Sequence, residues 1–255
     1  VIHPTAIVDS KARLAKDVTV GPFSIIEADV EIESGTKIGS HVLIAEGARI
    51  GKNCHIHHGA VLSTLPQDIK FGGEKTTLEI GENTIIREYC TLNRGTTHRG
   101  KTTVGKNCFL MAYVHIAHDN IIEDNVIIAN SVQLGGHVCV EEWAMIGGLT
   151  AVHQFSLIGK HSMIGGGLRV VRDVPPYILT AGEPLRFGGL NIVGLKRRGF
   201  SAEAIRGLKQ CYRYIYRSNL NLSQAVKKIE SEMEITPEVR IVLDFVRRSE
   251  RGIIR

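Results

Sequence analysis

Residues 115–137 read HIAHDNIIEDNVIIANSVQLGGH, and His153 follows soon after. Four imidazoles, those of His115, His118, His137 and His153, and the carboxylate of Asp119 thus stand among aliphatic pairs and small polar residues. Two chemistries suit such a set. A neutral imidazole whose other nitrogen is held by a carboxylate or carbonyl can act as a general base, typically worth ~10²- to 10⁴-fold in rate. Three imidazoles around one point can instead ligate zinc, as in the carbonic anhydrases built on a β-helix. Either use requires that residues distant in sequence meet in space, so the elements that carry them decide the matter.

Every sixth residue from Ile2 to Val170 is aliphatic, with only Asp68, Glu74 and His98 departing among 29 positions. Two residues before each stands a small or β-branched side chain, as at Ala12, Ser24, Thr36, Cys54, Cys90 and Cys108. This is neither the 3.6 period of a helix nor the alternation of a strand; it is the hexapeptide period of a parallel β-helix. Three hexads make a triangular coil with the aliphatic and small residues inward, and Gly21, Gly39, Gly51, Gly81, Gly105, Gly147 and Gly159, directly after the aliphatic, are expected to relax the corner. Nearly ten coils at ~4.8 Å would build a prism roughly 46 Å tall.

Two stretches leave the pattern while the phase survives, STLPQDIKFGGEKTT (63–77) and NRGTTHRGKT (93–102), which marks them as extruded loops where substrate or partner contacts collect. Past DVPPY (173–177) the hexads stop. Ser201 can cap a helix to about Arg217, Ser223 a second, and Thr236 with Pro237 a third. The expected architecture is mainly β: a β-helix over 1–178, then a small α-helical domain over 191–255. From Asn191 onward 14 Lys and Arg face 7 Asp and Glu, so the helical end is basic and suits an acidic partner or phosphate. Few aromatics interleave with these bases and no nucleic-acid-binding motif appears, so nucleic acid is not expected. With 43% hydrophobic and 22% charged residues the chain can bury a large core, and no apolar run approaches the ~18 to 20 residues of a membrane span. Five Cys without C-x-x-C spacing give neither a disulfide framework nor a structural zinc site, and a cytoplasmic protein is expected.

Folding the sequence into 18-residue coils places Gly136 one coil above His118 and Gln154 one coil further, with His137 and His153 beside them. Three imidazoles are thereby expected on one corner with Asp119, leaving both general base and metal site open.

The runs IAHD (116–119), GGHV (135–138), IGGLTAVHQF (146–155), DVPPY, NIVGLKRRGF (191–200) and the closing RSERGIIR resemble the UDP-N-acetylglucosamine O-acyltransferases over essentially the whole chain. The resemblance implies a left-handed coil and transfer of a 3-hydroxyacyl chain from the thioester of acyl carrier protein to the 3-position of the glucosamine ring of a UDP-sugar. It implies His118 as general base, Asp119 as its partner, the Gly136 N–H as oxyanion donor, and no covalent acyl-enzyme. His115, His137, His153, Gln154, Asp68 and Lys70 match substrate contacts, and Asn191, Arg197 and Arg198 match the nucleotide and carrier-protein side. Gly166 matches the position that sets acyl length, where the lack of a side chain implies a long chain. The family often has Glu where this chain has Val193. No metal or cofactor is implied, acyl carrier protein being a co-substrate, and a homotrimer with sites between subunits is implied. The alternatives are transfer to a 3-amino sugar and a zinc-dependent β-helix. The sister N-acyltransferase carries a substrate domain before its hexads, whereas here the hexads begin at residue 2.

Overall fold

Each hexad supplies a strand, most of two residues, and a turn, and strands three hexads apart pair in parallel: Ile7 lies over Ile25, and Ile25 over Leu43. The computed structural model describes all 255 residues. Its strands stack into three sheets: a first of nine strands from Ile7–Val8 to Arg169–Val170, a second of eight from Arg13–Leu14 to Leu157–Ile158, and a third of ten beginning at Thr19–Val20. The result is the parallel β-helix that the six-residue period implies, left-handed as the resemblance implies. Three edges run along it, here numbered by the turns from first to second, second to third, and third to first sheet.

From Val20 onward the aliphatic of each hexad enters one continuous core, with residues such as Ile44, Leu62, Leu92, Ile116 and Ile146 fully buried. Cys54, Cys90 and Cys108 sit inward as expected, and burial pushes the thiols of Cys90 and Cys108 up to about 11, so they are inert at neutral pH. Both breaks in the repeat lie between a strand of the first sheet and one of the second, so both loops leave from the first edge, and the coil closes beyond them with Leu62 under Leu92 and Ile80 under Val104.

The corner glycines require a correction. Positive φ recurs two residues later than expected, at Phe23, His41, Asn53, Asn83, Asn107 and Asp119, not at the glycines that follow the aliphatic. Those glycines serve a different need, because a Cβ on Gly21 would sit 2.6 Å from the Gly39 carbonyl oxygen, and one on Gly147 2.5 Å from the Gly166 nitrogen. Successive coils approach too closely there for any side chain.

Past Val170 a hairpin that the period did not announce, Ile178–Ala181 with Arg186–Leu190, extends the third sheet. Four helices follow: α1 (Ile192–Arg197), α2 (Ala202–Arg217), α3 (Leu222–Glu232) and α4 (Pro237–Arg248). Ser201 and Thr236 cap α2 and α4 as expected; α3 is capped by Asn221 rather than Ser223, with Gln224 completing a capping box, and α1 was not foreseen. The C-terminal segment clamps this layer to the last coil. Buried Asp173 accepts from Leu157 N–H at 2.8 Å and from the Ser249 hydroxyl at 2.6 Å, and Arg248 pairs with Glu141. Asp173 and Ile253 then bridge in parallel, which supplies backbone partners to the end of the solenoid. No helix is long and apolar enough to cross a membrane.

Candidate active site

The 18-residue register sorts the first edge into columns. Asp119, His137 and Phe155 share the positive-φ position, with φ of 58°, 62° and 63°. Such values recur at almost every turn of this fold, so they arise from the coil rather than from function. His118, Gly136 and Gln154 occupy the preceding column, and the His118 ring lies over the bare Cα of Gly136, where a Cβ would come 2.7 Å from Cε1 and 2.8 Å from Nε2.

His118 Nδ1 meets Asp119 Oδ2 at 2.8 Å. Asp119 is fully buried, and its charge is met by the 93–102 loop: Thr96 donates its N–H and hydroxyl, the hydroxyl at 2.7 Å, and Arg99 donates its N–H at 3.1 Å. Burial alone would push this carboxyl up; the hydrogen bonds from His118 and Thr96 outweigh it and hold the group below its ordinary value. An ionised Asp119 accepts the Nδ1 proton of His118, leaving Nε2 as the basic nitrogen. Asn120 bridges coils below, donating to Ala117 O at 2.8 Å and Gly135 O at 2.9 Å. The Gly136 N–H donates to no group of the chain.

The His137 ring meets His118 edge-on at 5.0 Å between centroids and stacks on Phe155 at 4.3 Å. Burial lowers its pKa, so the imidazole is neutral at pH 7. The third imidazole here is not His153, which is exposed and turns Nδ1 to the Gln154 carbonyl oxygen at 2.9 Å. His98 of the second loop takes that place, edge-on to His137 at 4.6 Å. Thr96, His98 and Arg99 were missed from sequence because they lie in the non-repeating stretch. Their one signal was that the loop interrupts the hexads a coil before His118.

Other expected residues lie apart. His115 faces outward from the first sheet with Nδ1 2.8 Å from the Thr91 hydroxyl, and burial lowers its pKa. Gln154 is exposed beside His153. Asp68 and Lys70 stand on the first loop, where Asp68 Oδ1 accepts the Lys70 N–H, and neither bonds to His118 or His137. Gly166 lies on the third edge against Gly148, whose carbonyl oxygen a Cβ would meet at 3.0 Å. Asn191, Arg197 and Arg198 belong to α1 and its caps, in the helical layer that packs on the second edge at His161 and Trp143. The buried Asn191 side chain is committed inside the chain, accepting Gly194 N–H at 3.1 Å and donating to His161 O at 3.0 Å. Arg198 packs over Trp143 at 5.0 Å, whereas Arg197 is exposed.

One ligand atom each from His118, Asp119 and His137 falls within 4.8 Å of the others. A metal would have to take Asp119 from Thr96, Arg99 and His118 together, so the set fits a hydrogen-bonded base better than a three-histidine zinc site.

A family model described as UDP N-acetylglucosamine O-acyltransferase, domain 2, matches residues 173–254, and one for bacterial transferase hexapeptides matches 29–64 and 101–136. The acyl-[acyl-carrier-protein]–UDP-N-acetylglucosamine O-acyltransferase of Thiobacillus denitrificans is 48% identical over 255 residues, covering 100% of this chain and 99% of its own. Solved UDP-N-acetylglucosamine acyltransferases are similar throughout. That of Bacteroides fragilis is 44% identical with a TM-score of 0.98, covering 100% of both chains. The Arabidopsis enzyme is 34% identical with a TM-score of 0.84, again covering 100% of both.

Proposed function

The chain belongs to the UDP-N-acetylglucosamine O-acyltransferase family, and from that premise we propose how its first edge works. The enzyme transfers an acyl chain from acyl carrier protein to UDP-N-acetylglucosamine, in lipid A biosynthesis. Nε2 of His118 takes the proton of the sugar 3-hydroxyl as the oxygen attacks the thioester carbonyl. The oxyanion that forms accepts the free N–H of Gly136, a contribution of ~10²- to 10³-fold. Collapse expels the thiolate, which takes the proton from His118, so no acyl-enzyme forms. Asp119 holds the imidazole in the required tautomer and stabilises its charged form. His118 bound to a buried, caged Asp119 beside an unused N–H is the observation that carries this reading.

The substrate roles of His115, His137, His153, Gln154, Asp68 and Lys70 are retained as proposals, as is that of Arg197 toward the nucleotide or carrier protein. Asn191 and Arg198 are retained on that side too, and their contacts to His161 and Trp143 also support a role in holding α1 in place. A 3-hydroxylated acyl chain is retained as a proposal, and Gly166, which adds no side chain at the length-setting position, supports a long one. Lys209, Arg213 and Arg217 of α2 line a cavity of about 660 Å³ with Phe187 and Leu190, a basic and apolar surface suited to an acidic carrier protein. Trimerisation is supported by the outward face of the third sheet, where Ile85, Phe109, Ile127, Met145 and Met163 stack in register with no partner in the chain, and by exposed Tyr113 and Leu149 on the adjoining edge. A cytoplasmic setting agrees with this chemistry.

Turnover of acyl carrier proteins of graded chain length, with UDP-N-acetylglucosamine and its 3-amino analogue, tests donor and acceptor together. His118→Ala is expected to lose at least ~10²-fold in kcat with an unchanged melting temperature. Near-normal turnover in that variant would remove the mechanism.

A further inference from the structure

The 93–102 loop grips Asp119 through the backbone N–H groups of Thr96 and Arg99 and the Thr96 hydroxyl, which leaves the side chains of His98 and Arg99 free of that anchor. Both residues are exposed. The His98 ring, though 4.6 Å from that of His137, makes no hydrogen bond through either nitrogen; only its backbone N–H is used, toward the Thr96 hydroxyl. The Arg99 guanidinium makes no ion pair and no hydrogen bond, in contrast to Arg49, Arg87 and Arg247, which all have carboxylate partners. Glu74, the acid that reaches this loop, is engaged by the N–H groups of Gly72 and Thr97. Asp119 lies buried and saturated beneath. Both side chains bear on the site electrostatically, since after burial and His118 they are the charges that lower the His137 pKa.

Two unneutralised donors therefore stand at the mouth of a site whose substrates both carry phosphate: the nucleotide sugar a diphosphate, and the arm of the carrier protein a phosphodiester. We infer that His98 and Arg99 hold a phosphate group of a bound substrate, Arg99 as a charged fork and His98 as a second donor. This rests on the acyl-transfer reading above. It adds to the site two residues that the repeat does not generate.

The test is steady-state kinetics of the full-length enzyme with Arg99→Gln, Arg99→Lys and His98→Gln, varying each substrate with the other saturating. Arg99→Gln is expected to raise KM for one substrate roughly 5- to 20-fold with kcat within about threefold, His98→Gln to raise the same KM less, and Arg99→Lys to recover part of the loss. A rise in KM for UDP-N-acetylglucosamine assigns the diphosphate, and a rise for acyl carrier protein assigns the phosphodiester. Both KM values unchanged in both Gln variants would overturn the inference. So would a fall in kcat at constant KM, because the side chains would then act only through the Asp119 cage. Since the anchor is backbone, melting temperatures are expected to match the wild type. The wild-type control separates the two failures: absent turnover sinks the acyl-transfer reading itself, whereas normal turnover with unmoved KM sinks this assignment alone.

Discussion

At the scale of single residues, the site depends as much on an absent side chain as on the imidazole. His118 is pressed between the Asp119 carboxylate on one side and the bare Gly136 Cα on the other. Gly136→Ala would put a methyl 2.7 Å from Cε1, so the ring must turn away and weaken its bond to Asp119. We expect kcat to fall at least ~100-fold while urea stability changes by less than ~1 kcal/mol, because the clash is with one side chain of the edge rather than with the core. A stable variant with normal kcat would mean that the ring position is not critical. Asp119 and His118 were legible in the sequence as neighbours, and His137 as the residue one coil above Asp119. His98 was not, because a residue in a loop has no register from which its position follows.

At the scale of elements, the second edge ends in a stack that seats the helical layer. Trp143, His161 and Tyr177 lie one above another, with centroids 6.3 and 5.5 Å apart, and Phe200 closes edge-on to His161 at 5.0 Å. Burial, then the charges of Arg198 and Lys160, push the His161 imidazole down to about 4, and its buried Nδ1 has no partner. The unfolded chain binds a proton near the ordinary imidazole value of 6.5 while the native state does not, so the native state is progressively disfavoured as pH falls from 6.5 toward 4. His161→Phe keeps a ring in the stack and removes the titration. Urea unfolding from pH 7 to 4.5 is expected to show the wild type losing ~2 kcal/mol more than this variant. Equal losses would place the acid sensitivity elsewhere. The capping of α2 and α4 was readable from Ser201 and Thr236, because capping is local. The role of Asn191 as the cap of α1 was hidden, because its value depends on His161 of a coil 30 residues earlier.

At the scale of the whole molecule, the proposed site residues divide between edges. His118, Asp119, His137, Asp68 and Lys70 belong to the first edge, and Arg197 to the helical layer seated on the second. We propose that a site using both is shared between neighbouring subunits, which agrees with the unpartnered apolar face of the third sheet. Refolding an equal mixture of His118→Ala and Arg197→Ala subunits is expected to restore about a quarter of wild-type turnover from two nearly inactive parents, the fraction of subunit interfaces that unite both intact residues. Mixtures as inactive as their parents would confine the site to one subunit. The sequence by itself determined the coil, its inward residues and the alignment of residues 18 apart, because each coil contacts only its neighbours and a repeat therefore maps directly onto position along the prism. Only the tertiary structure decided what departs from that translation: the second loop folding back to cage Asp119, His98 taking the place expected of His153, and Asn191 turning inward as a cap. Each depends on contacts between segments that share no period, where no spacing in the chain encodes the distance in space.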